Sequence, residues 1–127
     1  MDSKPRVLIV DDEELSQEFL RFFLAKKFEV YTCGCVNAFY NLINKMDFDL
    51  IVMDISLRDY KDGIQLTKEL KQMPRFVNVP VFILTAHNTT KDRHDSLEAG
   101  AHQFLTKPVD ARSLVTRIDE VLMGLKR

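Results

Sequence analysis

The chain lacks an excess of charge of either sign. Its 127 residues include 18 lysine and arginine residues against 19 aspartate and glutamate residues. A segment that binds nucleic acid by itself needs a surplus of basic side chains to neutralise phosphates. We therefore expect no direct nucleic-acid binding by this segment.

Long hydrophobic runs are also absent. No apolar stretch approaches the roughly 20 residues that span a bilayer, and the opening residues MDSKPR lack the apolar core of a signal peptide. We therefore predict no membrane segment and a cytoplasmic location. With 46% hydrophobic and 29% charged residues, residues 1–127 are expected to form one soluble domain around a single core.

Cysteine is scarce. Cys33 and Cys35 are separated by one glycine, which is too close for an ordinary disulfide, and two thiols are too few for a zinc site. We interpret both as buried thiols. Internal repeats, low-complexity tracts and linkers are absent from the sequence as well.

Short apolar runs alternate with helical patterns, which predicts an α/β fold. Runs that are apolar on consecutive residues are typical of strands covered on both faces of a parallel sheet. The predicted strands are residues 7–10, 29–32, 50–53, 81–84 and 103–106. Right-handed crossovers would place helices on both faces of a doubly wound, five-stranded sheet.

Five helices are predicted between and after these strands. Apolar stripes at helical spacing indicate the first three and the last, and the fourth, within residues 88–99, has so few apolar positions that we expect loose packing. Asp110 is the predicted cap of the last helix, which should end near Gly124. The stripes are Leu15, Phe19, Phe22 and Phe23; Phe39, Leu42, Ile43 and Met46; Leu66, Leu70 and Met73; and Leu114, Ile118, Val121, Leu122 and Leu125.

Polar residues follow four of the apolar runs. Asp11 and Asp12 follow VLIV, Asp54 follows DLIVM, Thr85 follows VFIL, and Lys107 follows QFLT. Because the carboxyl ends of parallel strands lie along one edge of a sheet, these residues should share a pocket. Carboxylate oxygens suit Mg²⁺, and a carboxylate can act as a nucleophile toward phosphorus when metal, ammonium and hydroxyl groups hold the phosphoryl oxygens.

These motifs resemble the receiver domain of two-component response regulators, a flavodoxin-like family typified by CheY. The resemblance covers essentially the whole chain and depends on VLIVDDEE, DLIVMDI, VFILTAH and EAGAHQFLTKPVD, together with Asp62-Gly63. It implies that Asp54 is phosphorylated and that Lys107 binds the phosphoryl group. It also implies a cis peptide between Lys107 and Pro108.

The same resemblance implies a Mg²⁺ site and a conformational switch. Asp12, Asp54 and the backbone carbonyl of Ser56 would hold the metal, and Asp11 would act through metal-bound water. Thr85 would follow the phosphoryl group, and the position of Phe104 would report activation. The face formed by helix four, strand five and helix five would then change its conformation.

This sequence also departs from the family pattern. The segment DISLRDYKDG after strand three is one residue longer than usual and lacks proline, so we expect a mobile loop. Lys27 stands where glycine is common and is expected to adopt a left-handed backbone. Ser56 and His87 occupy positions that tune the lifetime of the acyl phosphate, and we hypothesise that the imidazole of His87 makes dephosphorylation pH-dependent.

A histidine kinase or histidine phosphotransfer protein is the implied phosphodonor, and an unknown output domain or partner protein is the implied target. The resemblance leaves open a phosphorylation-dependent homodimer. The chain would not be an enzyme beyond its own phosphorylation and autodephosphorylation.

Two alternative functions compete with this interpretation. An aspartate phosphatase of the haloacid dehalogenase type would need a second aspartate where Ser56 stands, and the chain is too short for a cap domain. An unphosphorylated scaffold with the same fold would keep the binding face without needing the complete set of site residues.

Overall fold

A computed structural model describes residues 3–125 of the chain. Strands and helices alternate throughout, and their bounds are β1 Arg6–Val10, α1 Glu14–Leu24, β2 Glu29–Cys33, α2 Val36–Lys45, β3 Leu50–Met53, α3 Gly63–Leu70, β4 Val81–Thr85, α4 Thr90–Glu98, β5 Gln103–Thr106 and α5 Ala111–Leu125. The five strands form one parallel sheet in the order β2-β1-β3-β4-β5. This confirms the predicted fold class.

The core has two halves, one on each face of the sheet. In β1, Val7 and Ile9 pack with α1 and α5, whereas Leu8 and Val10 pack with α2 and α3. Alternate residues of a strand point to opposite faces, so a strand between two helical layers is apolar at every position.

The strand order reverses between β1 and β3, and this reversal positions the site. Val10 pairs with Met53 in the parallel register, so the residues that follow them emerge side by side. On the other side of the sheet, Thr85 pairs with Thr106. Ligands bind at such a reversal, beyond the carboxyl ends of the strands.

Helix α1 differs from its prediction. Leu15, Phe19 and Phe22 belong to the predicted apolar stripe of this helix, but they are 82%, 47% and 57% exposed. The buried side of α1 consists instead of Leu20 and Leu24. Two apolar stripes run along this helix, and only one can face the sheet, which helical periodicity alone does not distinguish.

Helix α4 is held weakly, as expected from its sequence. Its only buried residue is Ser96, whose hydroxyl lacks a hydrogen-bond partner among residues 3–125. Leu97, one of its few apolar residues, is 45% exposed. Gly100 follows the helix with a φ of 110°, the left-handed conformation that glycine adopts without strain.

Two further predictions about single residues were wrong. Cys33 is buried, and burial raises the pKa of its thiol to about 12, but Cys35 is exposed. Lys27 does not adopt a left-handed backbone, since Gly100 alone has a positive φ within residues 3–125. No helix in this part of the chain has the length and apolar character needed to cross a membrane.

Candidate functional site

The site forms where β1, β3 and β5 end. The backbone N–H of Asp11 donates to the Cys33 carbonyl at 3.0 Å, and that of Asp54 donates to the Val10 carbonyl at 2.9 Å. These bonds continue the sheet ladder one residue past each strand. They fix both aspartates beside each other, and both are buried.

Lys107 joins the two buried carboxylates. Its Nζ lies 2.7 Å from Oδ2 of Asp11 and 3.0 Å from Oδ2 of Asp54, with Oε1 of Glu13 at 3.5 Å. Burial alone would lower the pKa of the ammonium group, but hydrogen bonds and charges from Asp11 and Asp54 outweigh it and raise that pKa. Lys107 is therefore a permanent cation at neutral pH.

Asp54 is held as an ionised carboxylate. Burial would raise its pKa, but the backbone N–H of Ser56, the ammonium of Lys107 and the Ser56 hydroxyl together lower it. The N–H and hydroxyl of Ser56 both donate to Oδ1 of Asp54, at 2.9 and 2.8 Å. An ionised, fixed carboxylate has the protonation state that a nucleophile or a metal ligand needs.

Asp11 is fixed on its other side by the start of α1. Its Oδ1 accepts the backbone N–H of Glu13 at 2.9 Å, and its Oδ2 accepts the Ser16 hydroxyl at 2.6 Å. The carboxylate thus satisfies backbone and side-chain donors of the first helical turn. These bonds fix the carboxylate of Asp11 to the start of α1.

Three carboxylates converge closely enough to share one metal ion. Asp11, Glu13 and Asp54 each offer an oxygen, and these oxygens lie within 4.8 Å of one another. Hard oxygen ligands of this kind suit Mg²⁺, so the residues fit the expected ion. Sequence reasoning missed Glu13, although the acidic run of residues 11–14 was the available signal.

Asp12 lies apart from this cluster. Its Oδ2 accepts the side-chain Nε of Arg58 at 3.0 Å and the backbone N–H of Arg58 at 3.3 Å. The ammonium of Lys107 pairs with Asp11 and Asp54. The guanidinium of Arg58, in the loop after β3, pairs with Asp12. The role of Asp12 as a metal ligand stays a prediction.

The loop after β3, residues 54–62, is attached to α2 rather than free. Oδ2 of Asp59 accepts the N–H of Val36 at 2.9 Å, which caps a helix whose own N-cap residue provides no side-chain bond. The Tyr60 hydroxyl donates to Asn37 at 3.2 Å, and Lys61 lies 2.7 Å from the Tyr40 hydroxyl. These contacts attach the loop to α2, and its mobility stays a prediction.

The other predicted residues line the β4–β5 side of the site. Thr85 is fully buried, and its hydroxyl accepts the N–H of His87 at 3.1 Å, while the His87 side chain is exposed. Phe104 is buried, and the guanidinium of Arg93 lies 5.1 Å from its ring centroid. The Lys107-Pro108 peptide is cis, as expected.

An apolar groove of about 730 Å³ borders the site. Leu15 and Phe19 of α1 form one wall, and Pro108 and Val109 of the loop after β5 form the other. Lys107 also lines the groove. Leu15 and Phe19 therefore expose apolar surface beside Lys107, which contacts the carboxylate cluster.

Comparison with known proteins shows which family has this sequence pattern. A family profile described as the response regulator receiver domain matches residues 7–119. Protein PetR of Rhodobacter capsulatus is 36% identical over 121 residues, which are 94% of this chain and 49% of that protein. The phosphate regulon transcriptional regulatory protein PhoB of Escherichia coli is 35% identical over 118 residues, or 92% of this chain and 51% of PhoB.

Solved structures agree with the sequence comparison. A response regulator receiver domain protein (CheY-like) from Methanospirillum hungatei superposes with a TM-score of 0.90 at 26% identity and covers 98% of both chains. The receiver domain of the Francisella response regulator 1452 gives a TM-score of 0.85 at 29% identity, covering 98% of this chain and all of that one. The chain spans about half the length of the curated relatives that it matches.

Proposed function

The chain belongs to the family of response regulator receiver domains of two-component signalling, and we propose that it accepts a phosphoryl group on Asp54 from a phosphohistidine donor. The donor would be a histidine kinase or a histidine phosphotransfer protein. The observation that carries this proposal is the ionised Asp54 carboxylate, buried beside Asp11 and bonded to Lys107. Measuring the intact mass after incubation with a phosphodonor tests it.

The transfer itself is a substitution at phosphorus. An oxygen of Asp54 forms the new O–P bond as the P–N bond of the donor breaks, and the electron pair stays on the imidazole nitrogen of the donor. Lys107 lies against Asp54 in this structure, and it would pair with the incoming phosphoryl oxygens. A bound Mg²⁺ would supply positive charge that neutralises the phosphoryl group.

The charges around the site support a requirement for this ion. Asp11, Asp12, Glu13 and Asp54 carry four negative charges, and Lys107 and Arg58 provide two positive ones. The remaining two negative charges would repel a phosphoryl group. One Mg²⁺ would balance them, with Asp11, Glu13 and Asp54 as the convergent ligands and with Asp12 and the Ser56 carbonyl as predicted ligands.

Mg²⁺ is expected to raise the melting temperature of the chain by several degrees. A ligand of the native state stabilises it by about 1.4 kcal/mol when its concentration is about ten times Kd. Thermal unfolding with millimolar Mg²⁺, compared with sodium chloride of equal ionic strength, measures this effect. An unchanged melting temperature would favour the alternative of an unphosphorylated scaffold.

The phosphodonor would approach along the apolar groove. A phosphohistidine must come within bonding distance of Asp54, so the donor protein has to contact the residues around the site. Leu15 and Phe19 expose apolar surface there, next to Pro108 and Val109. Apolar surface at the edge of a polar site is typical of a protein-binding surface.

Phosphorylation would be transmitted through Thr85 and Phe104. Thr85 would turn its hydroxyl toward the phosphoryl group, and Phe104 would reposition under α4, where Arg93 covers its ring. Few buried contacts hold α4, and weakly held elements are the ones that a switch can move. The altered face of α4, β5 and α5 would control an output domain or a partner, or form a homodimer.

Ser56 and His87 would set how long the acyl phosphate survives. Ser56 already bonds Asp54, and His87 is exposed two residues beyond Thr85. His87→Gln is therefore expected to change the rate at which the acyl phosphate is lost, followed by intact mass over time, and an unchanged rate would remove His87 from this role.

A further inference from the structure

Arg58 is the second cation of the site, and its surroundings differ from those of Lys107. The side chain of Arg58 is 82% exposed, that of its partner Asp12 is 17% exposed, and that of Lys107 is 18% exposed. Lys107 is enclosed between carboxylates, whereas the guanidinium of Arg58 is largely in solvent. Exposed ion pairs are weak, so the bond between Arg58 and Asp12 breaks easily.

The backbone at Arg58 is nevertheless well positioned. The next three residues all contact α2: Asp59 caps the helix, Tyr60 bonds Asn37, and Lys61 bonds Tyr40. The N–H of Arg58 also donates to Asp12. The loop therefore places a solvent-exposed cationic side chain opposite one particular carboxylate.

The pairing separates Asp12 from the other carboxylates. Asp11, Glu13 and Asp54 bring one oxygen each to within 4.8 Å of one another, and Asp12 is not part of this group. Nε of Arg58 lies 3.0 Å from Asp12. Both Arg58 bonds go to Oδ2 of Asp12, so a cation bound by this carboxylate would lie close to the positively charged guanidinium.

We propose that Arg58 competes with the divalent cation for Asp12 and thereby weakens Mg²⁺ binding. The inference rests on the proposed function, because it takes Mg²⁺ as the ion of this site. Without the guanidinium, only the backbone N–H of Arg58 would still bond Asp12, and the repulsion between Arg58 and the ion would disappear. The arginine then sets the Mg²⁺ concentration at which the chain becomes ready to accept phosphate.

Calorimetric titration of the full chain with Mg²⁺ alone tests this proposal. Arg58→Gln should lower Kd by about three- to tenfold, the range expected for an exposed ion pair plus one nearby positive charge. Arg58→Lys should stay close to the wild type because it keeps the charge. Higher ionic strength should reduce the difference, since salt screens exposed charges.

A matched control lies at the other end of the sheet. Arg75 pairs with Asp47 at 2.8 Å and is also substantially exposed. Arg75→Gln makes the same change in net charge far from the carboxylates, so it should leave Kd unchanged. In an Asp12→Asn background, Arg58→Gln should have a much smaller effect, which isolates the coupling between the two residues.

The outcomes separate this inference from the proposed function. Equal Mg²⁺ affinity in the wild type and Arg58→Gln overturns the inference and leaves the proposed function intact. Weaker binding by Arg58→Gln also overturns it, because Arg58 would then be orienting Asp12 for the metal. Absence of Mg²⁺ binding in both proteins contradicts the inference and the proposed function together.

Discussion

Incubation with acetyl phosphate and Mg²⁺ is expected to add one phosphoryl group to the wild-type chain and none to Asp54→Asn. The amide of asparagine lacks the ionised oxygen that attacks phosphorus, although it has nearly the same shape as the carboxylate. Its carbonyl oxygen can still accept the bonds that Ser56 donates to Oδ1. The variant should therefore fold and still fail to react, as intact-mass spectrometry would show.

Two controls make this result specific. Asp49→Asn makes the same change at an exposed residue at the opposite end of β3, and this variant should be phosphorylated like the wild type. The modification should also be removed by hydroxylamine, which cleaves acyl phosphates and leaves serine and threonine phosphates intact. A phosphoryl group that persists in Asp54→Asn, or that resists hydroxylamine, would contradict the assignment of Asp54.

Gly63→Ala is expected to lower the free energy of unfolding by about 3 kcal/mol or more. A Cβ atom at this position would clash with the carbonyl oxygen of Asp54 and would lie 2.8 Å from Cα of Ile55. These are backbone atoms, so relief of the clash requires the exit of β3 or the start of α3 to shift. Because Asp54 belongs to the displaced segment, phosphorylation should fall as well.

Gly124→Ala is the matched control for this substitution. Apart from its chain neighbours and the backbone of its own helix, no atom of residues 3–125 lies within 4 Å of the added Cβ, and the residue is inside α5, where alanine is favoured over glycine by up to about 1 kcal/mol. Urea unfolding of both variants and the wild type measures the difference in their free energies of unfolding. Equal unfolding free energies for Gly63→Ala and the wild type would show that the backbone around Asp54 shifts at little cost. That result would contradict the fixed position of Asp54 described above.

The strands and the central site residues could be predicted from the sequence for a physical reason. A buried parallel strand requires consecutive apolar residues, and parallel pairing puts strand ends at one edge. Asp11 and Asp54 directly follow such strands and Lys107 directly follows β5, so the strand positions were enough to predict that the three side chains meet. The short distances between Lys107 and the two aspartates agree with this reasoning.

The parts that sequence reasoning missed depend on contacts between distant segments. The attachment of residues 59–61 to α2 joins positions about twenty apart, and turn chemistry in a single sequence does not reveal such bonds. The pairing of Arg58 with Asp12 is similarly long-range. For Phe19 and Phe22, the error arose because apolar spacing shows that a stripe exists but not which stripe meets the sheet.

The hydroxyl of Ser96 gives α4 an unusual energetic property. A buried polar group without a partner carries a desolvation penalty of about 1–3 kcal/mol, and this serine is the one α4 residue enclosed by the fold, with no acceptor or donor for its hydroxyl among residues 3–125. If phosphorylation displaces α4 as proposed, water would hydrate that hydroxyl and recover the penalty. The enclosed hydroxyl would then offset part of the free-energy cost of moving this helix.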